Sequence, residues 1–288
     1  TITDDETRVR LNQSRMFFDA AKAGDVRVVN EALKLGTDIN LKNPYDGGET
    51  PLTIASLEGH PDLVELLLNA NADVNLPNNN GITPLNYACT VGHATICQML
   101  IDANADVHLA DNINGNTPLL GASRKGHPAI VAMLMDAKAD VNGANNKGET
   151  PLYVASKGTR PQGASRRGHP TIVEMLINAN ADVNMATNLG ATPLYIASDE
   201  GHSNIVEILV NANADLNIAV NYGHTPLYIA SSRGYSTIVQ MLINANADVN
   251  IAAKDGRTPL YIASFGEHST IVEMLVNANA DLNIADNR

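Results

Sequence analysis

The chain has 288 residues, of which 44% are hydrophobic and 17% charged, and its formal net charge is −12 at pH 7. This negative charge argues against nucleic acid as a partner, because general attraction to phosphates requires a basic protein. The apolar runs are short and interrupted, far below the length of a membrane-spanning helix, so we expect neither a transmembrane segment nor a membrane partner.

The first part of the chain divides into a lead-in and a degenerate repeat. Residues 1–11 match no later stretch and are predicted to be an N-terminal lead-in. Residues 12–40 match the later repeats loosely and carry Arg27 and Lys34, as expected of a terminal capping repeat. The chain opens at Thr1 rather than Met and without a signal-peptide pattern, so we expect a fragment or a processed chain.

From residue 48 onward one repeat recurs. It opens with Gly-x-Thr-Pro-Leu, in which the Thr hydroxyl is predicted to cap a first helix that begins at the Pro. In one repeat this helix ends at Gly201, Ile205 and Leu209 predict a second helix, and Asn213 ends that helix in a left-handed conformation. An irregular finger then leads to the next repeat. The capping residues, in steps of 33, 34, 33, 42, 33 and 33 residues, are Thr50, Thr83, Thr117, Thr150, Thr192, Thr225 and Thr258.

The order of these motifs resembles the ankyrin repeat family. Gly-x-Thr-Pro-Leu, Gly-His, Ile-Val-x-x-Leu and Ala-Asp-Val-Asn follow one another at the family's period over nearly the whole chain. The resemblance implies an all-α fold, a solenoid or curved slab of stacked helix-turn-helix repeats with finger loops. The repeat array would occupy residues 12–283, as a cap followed by seven repeats, and residues 284–288 would form a C-terminal tail. The seven repeats would start near residues 48, 81, 115, 148, 190, 223 and 256.

Three features depart from the family pattern. The His that usually follows Thr-Pro-Leu and bonds the Thr hydroxyl is absent, so that bond must be replaced or lost. The usual Gly after the second helix is Asn or, once, Lys138, which lacks a local hydrogen bond to offset a left-handed conformation. Glu267 takes the place of a turn Gly, with Gly266 one position early, so we expect this turn to be rearranged.

The fifth repeat, counted from the cap, holds nine extra residues, which we place at 157–165. Gly158, Pro161 and Gly163 oppose a continuous helix, so we expect a loop between the two helices of this repeat. Insertions in repeat arrays often lie on a binding face. A neutral insertion is also tolerated, because lengthening a surface loop costs little. The sequence leaves both interpretations open.

The sequence contains no constellation that predicts catalysis, a cofactor or a metal ion. His-Glu-x-x-His, Gly-x-Ser-x-Gly, a phosphate-binding Gly-rich loop and a zinc-spaced Cys set are all absent. One position is His in six repeats, but packed helices lie about 8–10 Å apart, too far to share an ion with bonds of about 2 Å. We therefore expect each ring to satisfy local backbone groups at the start of the second helix. These residues are His60, His93, His127, His169, His202 and His268.

Other repeated residues are also expected to serve the architecture. One Asp in each finger, such as Asp215, is expected to fix the finger through local backbone hydrogen bonds. The tyrosines after Thr-Pro-Leu, such as Tyr195, favour a packing ladder over a recognition surface. Cys89 and Cys97 are interpreted as small buried hydrophobes rather than a disulfide, which favours a reducing, intracellular and cytoplasmic location.

The resemblance implies a non-catalytic module that binds a protein or peptide on a concave surface of fingers and first helices. Residues that vary between repeats on these elements escape the architectural constraint. The segment from Asn43 to Ser123 has no Lys or Arg, and basic residues then concentrate in the next two repeats, so we expect a partner whose charge also reverses. The candidate binding residues are Glu49, Glu58, Ile82, Arg124, Lys125, Lys147, Lys157, Arg160, Arg166, Arg167, Leu189, Tyr222, Arg233, Arg257 and Phe265.

Several alternatives stay open. The alternatives to a binding module are a regulatory or targeting segment of a larger enzyme or effector, and a passive or engineered consensus-like scaffold. The last repeat lacks a polar cap, which predicts either continuation of the array or self-association through this C-terminal face. The family also includes targets of asparagine hydroxylation, which here would fall on finger residues such as Asn217.

Overall fold

The computed structural model describes residues 4–159 and 168–283, and within these ranges it consists of sixteen α-helices joined by turns and loops, without a strand. The all-α prediction is confirmed. The first helix crosses the predicted boundary between lead-in and cap, and the domain boundaries and the number of repeats stay predictions. The helices are α1 (Asp4–Ala23), α2 (Val26–Lys34), α3 (Pro51–Glu58), α4 (Pro61–Asn69), α5 (Pro84–Val91), α6 (Ala94–Asp102), α7 (Pro118–Lys125), α8 (Pro128–Asp136), α9 (Pro151–Lys157), α10 (Pro170–Asn178), α11 (Pro193–Glu200), α12 (Ser203–Asn211), α13 (Pro226–Arg233), α14 (Ser236–Asn244), α15 (Pro259–Phe265) and α16 (Ser269–Asn277).

The helices group into two compact units. Of the described residues, the N-terminal unit comprises 4–122 and 129–140, and the C-terminal unit comprises 123–128, 141–159 and 168–283. In the N-terminal unit the first helices α1, α3 and α5 pack in succession, and the second helices α2, α4 and α6 pack in the same order. The C-terminal unit repeats this arrangement with α9, α11, α13 and α15 in one row and α10, α12, α14 and α16 in the other. Each unit is therefore a stack of helix pairs, as predicted.

Short local signals set where the first helices begin. Thr192 caps α11 as predicted, because its Oγ1 accepts a hydrogen bond from the backbone N–H of Tyr195 at 3.1 Å. The bond that the family's His makes to the Thr hydroxyl is replaced in α3, where Oγ1 of Thr50 donates to Oγ1 of Thr53 at 3.3 Å. In α5 the hydroxyl of Thr83 donates to Oδ1 of Asn86 at 2.8 Å.

Left-handed residues end the second helices, as predicted. Asn213 follows α12 with φ of 58°. Lys138 takes the same conformation with φ of 67°, although it lacks the short amide side chain that makes this region accessible to Asn. In the last repeat Gly266 has φ of −80°, and Glu267 carries the left-handed conformation instead with φ of 58°. The rearranged turn is thus confirmed.

The fingers are fixed by side-chain bonds to the backbone. Asp215 accepts from the N–H of Asn217 at 2.9 Å, which confirms the predicted local role of the repeated Asp. The same Asp also donates its own N–H to Oδ1 of Asn184, one repeat earlier, at 2.8 Å. Because this pattern recurs along each unit, the finger Asn residues join neighbouring repeats.

The histidine prediction was wrong about the bonding partner. Nε2 of His169 lies 3.1 Å from the carbonyl oxygen of Arg124, and Nε2 of His202 lies 3.3 Å from that of Lys157. Each ring therefore satisfies the end of the preceding repeat's first helix rather than a local group. The ring needs space there, since a Cβ on Gly126 would lie 2.4 Å from the His169 ring. Within the described residues no cluster of His, Cys, Asp or Glu is arranged to hold a metal ion.

Cys89 and Cys97 are both buried, as predicted, and their Sγ atoms lie 3.3 Å apart, at hydrogen-bond distance and without a disulfide. Burial raises the pKa of the Cys89 thiol, and its hydrogen bond with Cys97 acts in the same direction. The thiols therefore pack as apolar groups between α5 and α6. Across the described ranges no helix combines the length and the apolar character needed to cross a bilayer.

Candidate protein-binding surfaces

The candidate residues differ widely in exposure. Exposed side chains are those of Glu58, Lys125, Lys147, Leu189, Tyr222, Arg233 and Phe265. Half-buried side chains are those of Ile82, Arg124, Lys157 and Arg257. Glu49 is buried, with 7% of its surface exposed, so it is no freely accessible surface charge. Arg160, Arg166 and Arg167, together with most of the insert, lie outside the described residues. As a binding set these residues stay a prediction.

The N-terminal unit contains a cleft of about 710 Å³ beside the first finger. Its walls come from the second half of α1, from the finger between Asn43 and Glu49, and from α3 and α5. The exposed carboxylates of Asp46 and Glu58 also line it. The elements that the sequence predicted to form a binding surface thus enclose a concave site here.

The carboxylate of Glu49 is held at this cleft by two neutral donors. The hydroxyl of Tyr87 donates to Oε1 at 2.6 Å, and Nδ2 of Asn78 donates to the same oxygen at 2.6 Å. The other oxygen, Oε2, is buried and has no hydrogen-bond partner. Burial raises the pKa of Tyr87 above its ordinary range, and the bond to Glu49 raises it further. One oxygen of the buried Glu49 carboxyl group therefore accepts two hydrogen bonds, and the other accepts none.

Glu149 occupies the equivalent finger position in the C-terminal unit, where two cations meet it. Nη2 of Arg124 lies 3.0 Å from Oε2, and Nζ of Lys157 lies 3.6 Å from Oε1. Asn145 also donates to Oε2 at 3.0 Å. The Lys157 ammonium lies 5.7 Å from the centre of the Tyr153 ring, which is buried. Two of the predicted binding cations are therefore already engaged within the chain.

Two other candidate cations in the C-terminal unit also have internal partners. Nη2 of Arg233 lies 2.8 Å from Oδ1 of Asp199, one repeat earlier. Nε of Arg257 lies 3.4 Å from Asp255, and the guanidinium of Arg257 lies 5.5 Å from the centre of the Tyr261 ring. Exposed charge on this unit is supplied more directly by Lys125 and Lys147.

Large apolar side chains are exposed on the fingers of the C-terminal unit. Leu189 and Tyr222 are 66% and 70% exposed and occupy the same position on consecutive fingers. The N–H of Asn221 donates to the carbonyl of Leu189 at 2.9 Å, which fixes the two tips side by side. Phe265, at the end of α15, is 76% exposed. These side chains lie on the elements predicted to recognise a partner.

Tyr87 and Asn78 complete the Glu49 site, and neither was among the residues predicted from the sequence. Tyr87 stands where other first helices have apolar residues such as Ile54 or Ile196. The available signal was a polar ring at a position that is Ile or Val in five of the other repeats. Its partner could not be identified, because Glu49 lies 38 residues earlier and the contact depends on how two repeats stack.

Comparisons with known proteins agree with the repeat pattern. A family model described as "Ankyrin repeats (3 copies)" matches residues 17–111, 103–163, 162–253 and 219–286, which together cover most of the chain. A relative in Fowlpox virus (strain NVSL), named "Putative ankyrin repeat protein FPV031", is 38% identical over 68 residues. These residues make up 24% of this chain and 20% of the viral protein, so the match spans about a fifth of that relative.

Proposed function

Because this chain belongs to the ankyrin repeat family, we propose that it is a non-catalytic module that binds a protein or peptide through its fingers and first helices. Ankyrin repeats are generally protein–protein interaction modules, and the family is typically non-catalytic. The observation that carries the proposal is a group of large apolar side chains exposed on the fingers and at the end of a first helix. Leu189 and Tyr222 on two consecutive fingers are 66% and 70% exposed, and Phe265 at the end of α15 is 76% exposed.

Charge indicates the chemistry of the partner. In the N-terminal unit the exposed charges beside the cleft include Asp46 and Glu58. In the C-terminal unit the exposed candidates Lys125 and Lys147 carry the opposite sign. A partner with both a basic and an acidic stretch would complement these surfaces, and its association would weaken as salt screens the exposed charges.

Affinity measurements on matched surface variants test the proposal. Peptides are selected from a displayed random library on the full chain, and their affinity is then measured for two triple variants. The first carries Leu189→Ser, Tyr222→Ser and Phe265→Ser. The control carries Glu174→Ser, Glu207→Ser and Val276→Ser, all exposed on second helices.

The proposal predicts that the first variant loses about tenfold or more in affinity, since truncated aromatic anchors dominate binding energy. The control should bind like the unmodified chain. Equal affinity of the first variant, or a loss confined to the control, would contradict the proposed surface. Circular dichroism of both variants establishes that neither change alters the helical content.

A further inference from the structure

We propose that the cleft of the N-terminal unit binds one lysine or arginine side chain of the partner, with the Glu49 carboxylate as its counter-ion. The inference rests on the proposed function, because it specifies a chemical feature that the bound protein or peptide must carry. The chain buries the Glu49 carboxylate, and the described residues place no cation in an ion pair with it.

The Glu49 carboxylate lacks a cation. Tyr87 and Asn78 are both neutral donors, and both bond to Oε1. Oε2 is buried without a hydrogen bond. A buried carboxylate with an unsatisfied oxygen destabilises the folded protein, and a cationic donor at that oxygen removes both the unpaired charge and the missing bond.

Glu149 shows how the same fold satisfies this position when it supplies the cations itself. Glu49 and Glu149 both stand in Gly-Glu-Thr-Pro-Leu. At Glu149 the guanidinium of Arg124 and the ammonium of Lys157 lie within salt-bridge distance. The comparison therefore identifies the kind of group that completes the site, a guanidinium or an ammonium.

The equivalent positions around Glu49 do not supply it. Leu57 stands seven residues after Thr50, as Lys157 stands seven residues after Thr150, so one cation is replaced by an apolar side chain. The other position is Lys22, because its carbonyl contacts His60 as the carbonyl of Arg124 contacts His169. Lys22 and Arg15 are both exposed at the cleft, and the described residues show no ion pair between either of them and Glu49. Arg15 lies beside Asp19 instead, with Nε 4.0 Å from Oδ2.

The surroundings of the cleft select for positive charge. From Asn43 to Ser123 the chain has no Lys or Arg, so this segment cannot supply the missing cation. Four carboxylates line the same cleft against two cations, so its charge is negative on balance. The carboxylates are those of Asp19, Asp46, Glu49 and Glu58, and the cations are Arg15 and Lys22. Its volume of about 710 Å³ leaves room for a long side chain to enter. A cationic side chain is therefore attracted, and an acidic one is repelled.

The test measures charge preference with defined peptides. The probes are short, end-blocked peptides with a central arginine, lysine or citrulline in a randomised neutral background, because citrulline keeps the shape of arginine without its charge. They are presented to the full chain and to its Glu49→Gln and Glu149→Gln variants. Glu149→Gln is the matched control, since that carboxylate is already paired with Arg124.

We expect the unmodified chain to prefer arginine or lysine peptides over citrulline peptides by about tenfold or more. Glu49→Gln should lose this preference, whereas Glu149→Gln should keep it. A second variant, Leu57→Lys, places a cation where Lys157 stands in the C-terminal unit. It should also abolish the preference, and it provides an answer if Glu49→Gln fails to fold.

The remaining outcomes overturn the inference. They are equal binding of charged and citrulline peptides, a preference that survives both Glu49→Gln and Leu57→Lys, and the absence of peptide binding to the chain. A preference that emerges only in Lys22→Met would identify Lys22 as the occupant and also overturn it. Each of these outcomes leaves the proposed function intact if the triple variant with Leu189→Ser, Tyr222→Ser and Phe265→Ser still loses affinity for library-selected peptides. Failure of this inference can therefore be distinguished from failure of the proposed function.

Discussion

The guanidinium of Arg124, on the last turn of α7, lies 3.0 Å from the carboxylate of Glu149, in the finger of the following repeat. The side chains are 34% and 14% exposed, so the pair is partly shielded from water. An ion pair in this setting stabilises more than one on an open surface, because solvent screens it less.

A double-mutant cycle with Arg124→Met and Glu149→Gln should therefore give a coupling energy of about 0.5–3 kcal/mol in urea unfolding. The exposed pair of Glu31 and Lys34, whose atoms lie 2.7 Å apart, serves as control and should couple by about 0–1 kcal/mol. Coupling at Arg124 and Glu149 that is no larger than in the control would show that their shielding contributes nothing.

The left-handed Lys138 should be a weak point of the fold. Its φ of 67° costs a non-glycine residue about 1–2 kcal/mol, and Asn tolerates the conformation better. Lys138→Asn should therefore raise the free energy of unfolding by about 1 kcal/mol. Lys147→Asn, an exposed control outside that conformation, should change it by less than about 0.5 kcal/mol. If Lys138→Asn and Lys147→Asn changed the free energy of unfolding equally in thermal or urea unfolding, the left-handed conformation of Lys138 would not be a source of strain.

The pKa of His169 should make stability depend on pH. Burial lowers this pKa, and the neighbouring His127 and His202 act in the same direction, while the bond to the Arg124 carbonyl opposes it. Below about pH 6.5 the unfolded chain therefore binds a proton that the folded ring resists. The stabilisation is present above that pH and is lost as pH falls through the folded pKa.

Two measurements check this sign. NMR titration of the His169 ring in the folded chain should give a pKa below the ordinary histidine value. The urea midpoint should fall on acidification, and His169→Gln should make this fall shallower. A folded-state pKa at or above the ordinary value would contradict the assignment.

The buried thiols should be protected from reagents. Burial raises the Cys89 pKa, so the reactive thiolate is rare, and access requires opening of the fold. Alkylation by iodoacetamide should be at least about 1000-fold slower in the folded chain than in urea. Mass spectrometry of the alkylated peptides provides the measurement. Rapid labelling without denaturant would indicate that α5 and α6 separate readily.

Features that depend on neighbouring residues in the chain could be predicted from the sequence. The cap at Thr192, the left-handed Asn213 and the displaced turn at Glu267 each follow from side chains a few positions apart. The energies of these features depend on residues close together in the chain, so the sequence alone is enough to predict them.

Features that depend on stacking were missed or wrongly assigned. His169 bonds to a carbonyl 45 residues earlier, and Glu49 bonds to a hydroxyl 38 residues later. The sequence identified Glu49 as a variable finger residue, but only the packing of Tyr87 against it shows that the carboxylate is buried. Arg124 stays a predicted binding residue, and its ion pair with Glu149 was missed because it too depends on how two repeats stack.

Hydrogen–deuterium exchange tests the central claim most directly. The full chain is compared with and without a saturating, library-selected peptide. Recognition by fingers and first helices predicts slower exchange in the fingers around Leu189 and Tyr222 or beside Glu49, with α10, α12 and α14 unchanged. Protection confined to those second helices, or none at all under saturation, would contradict the account.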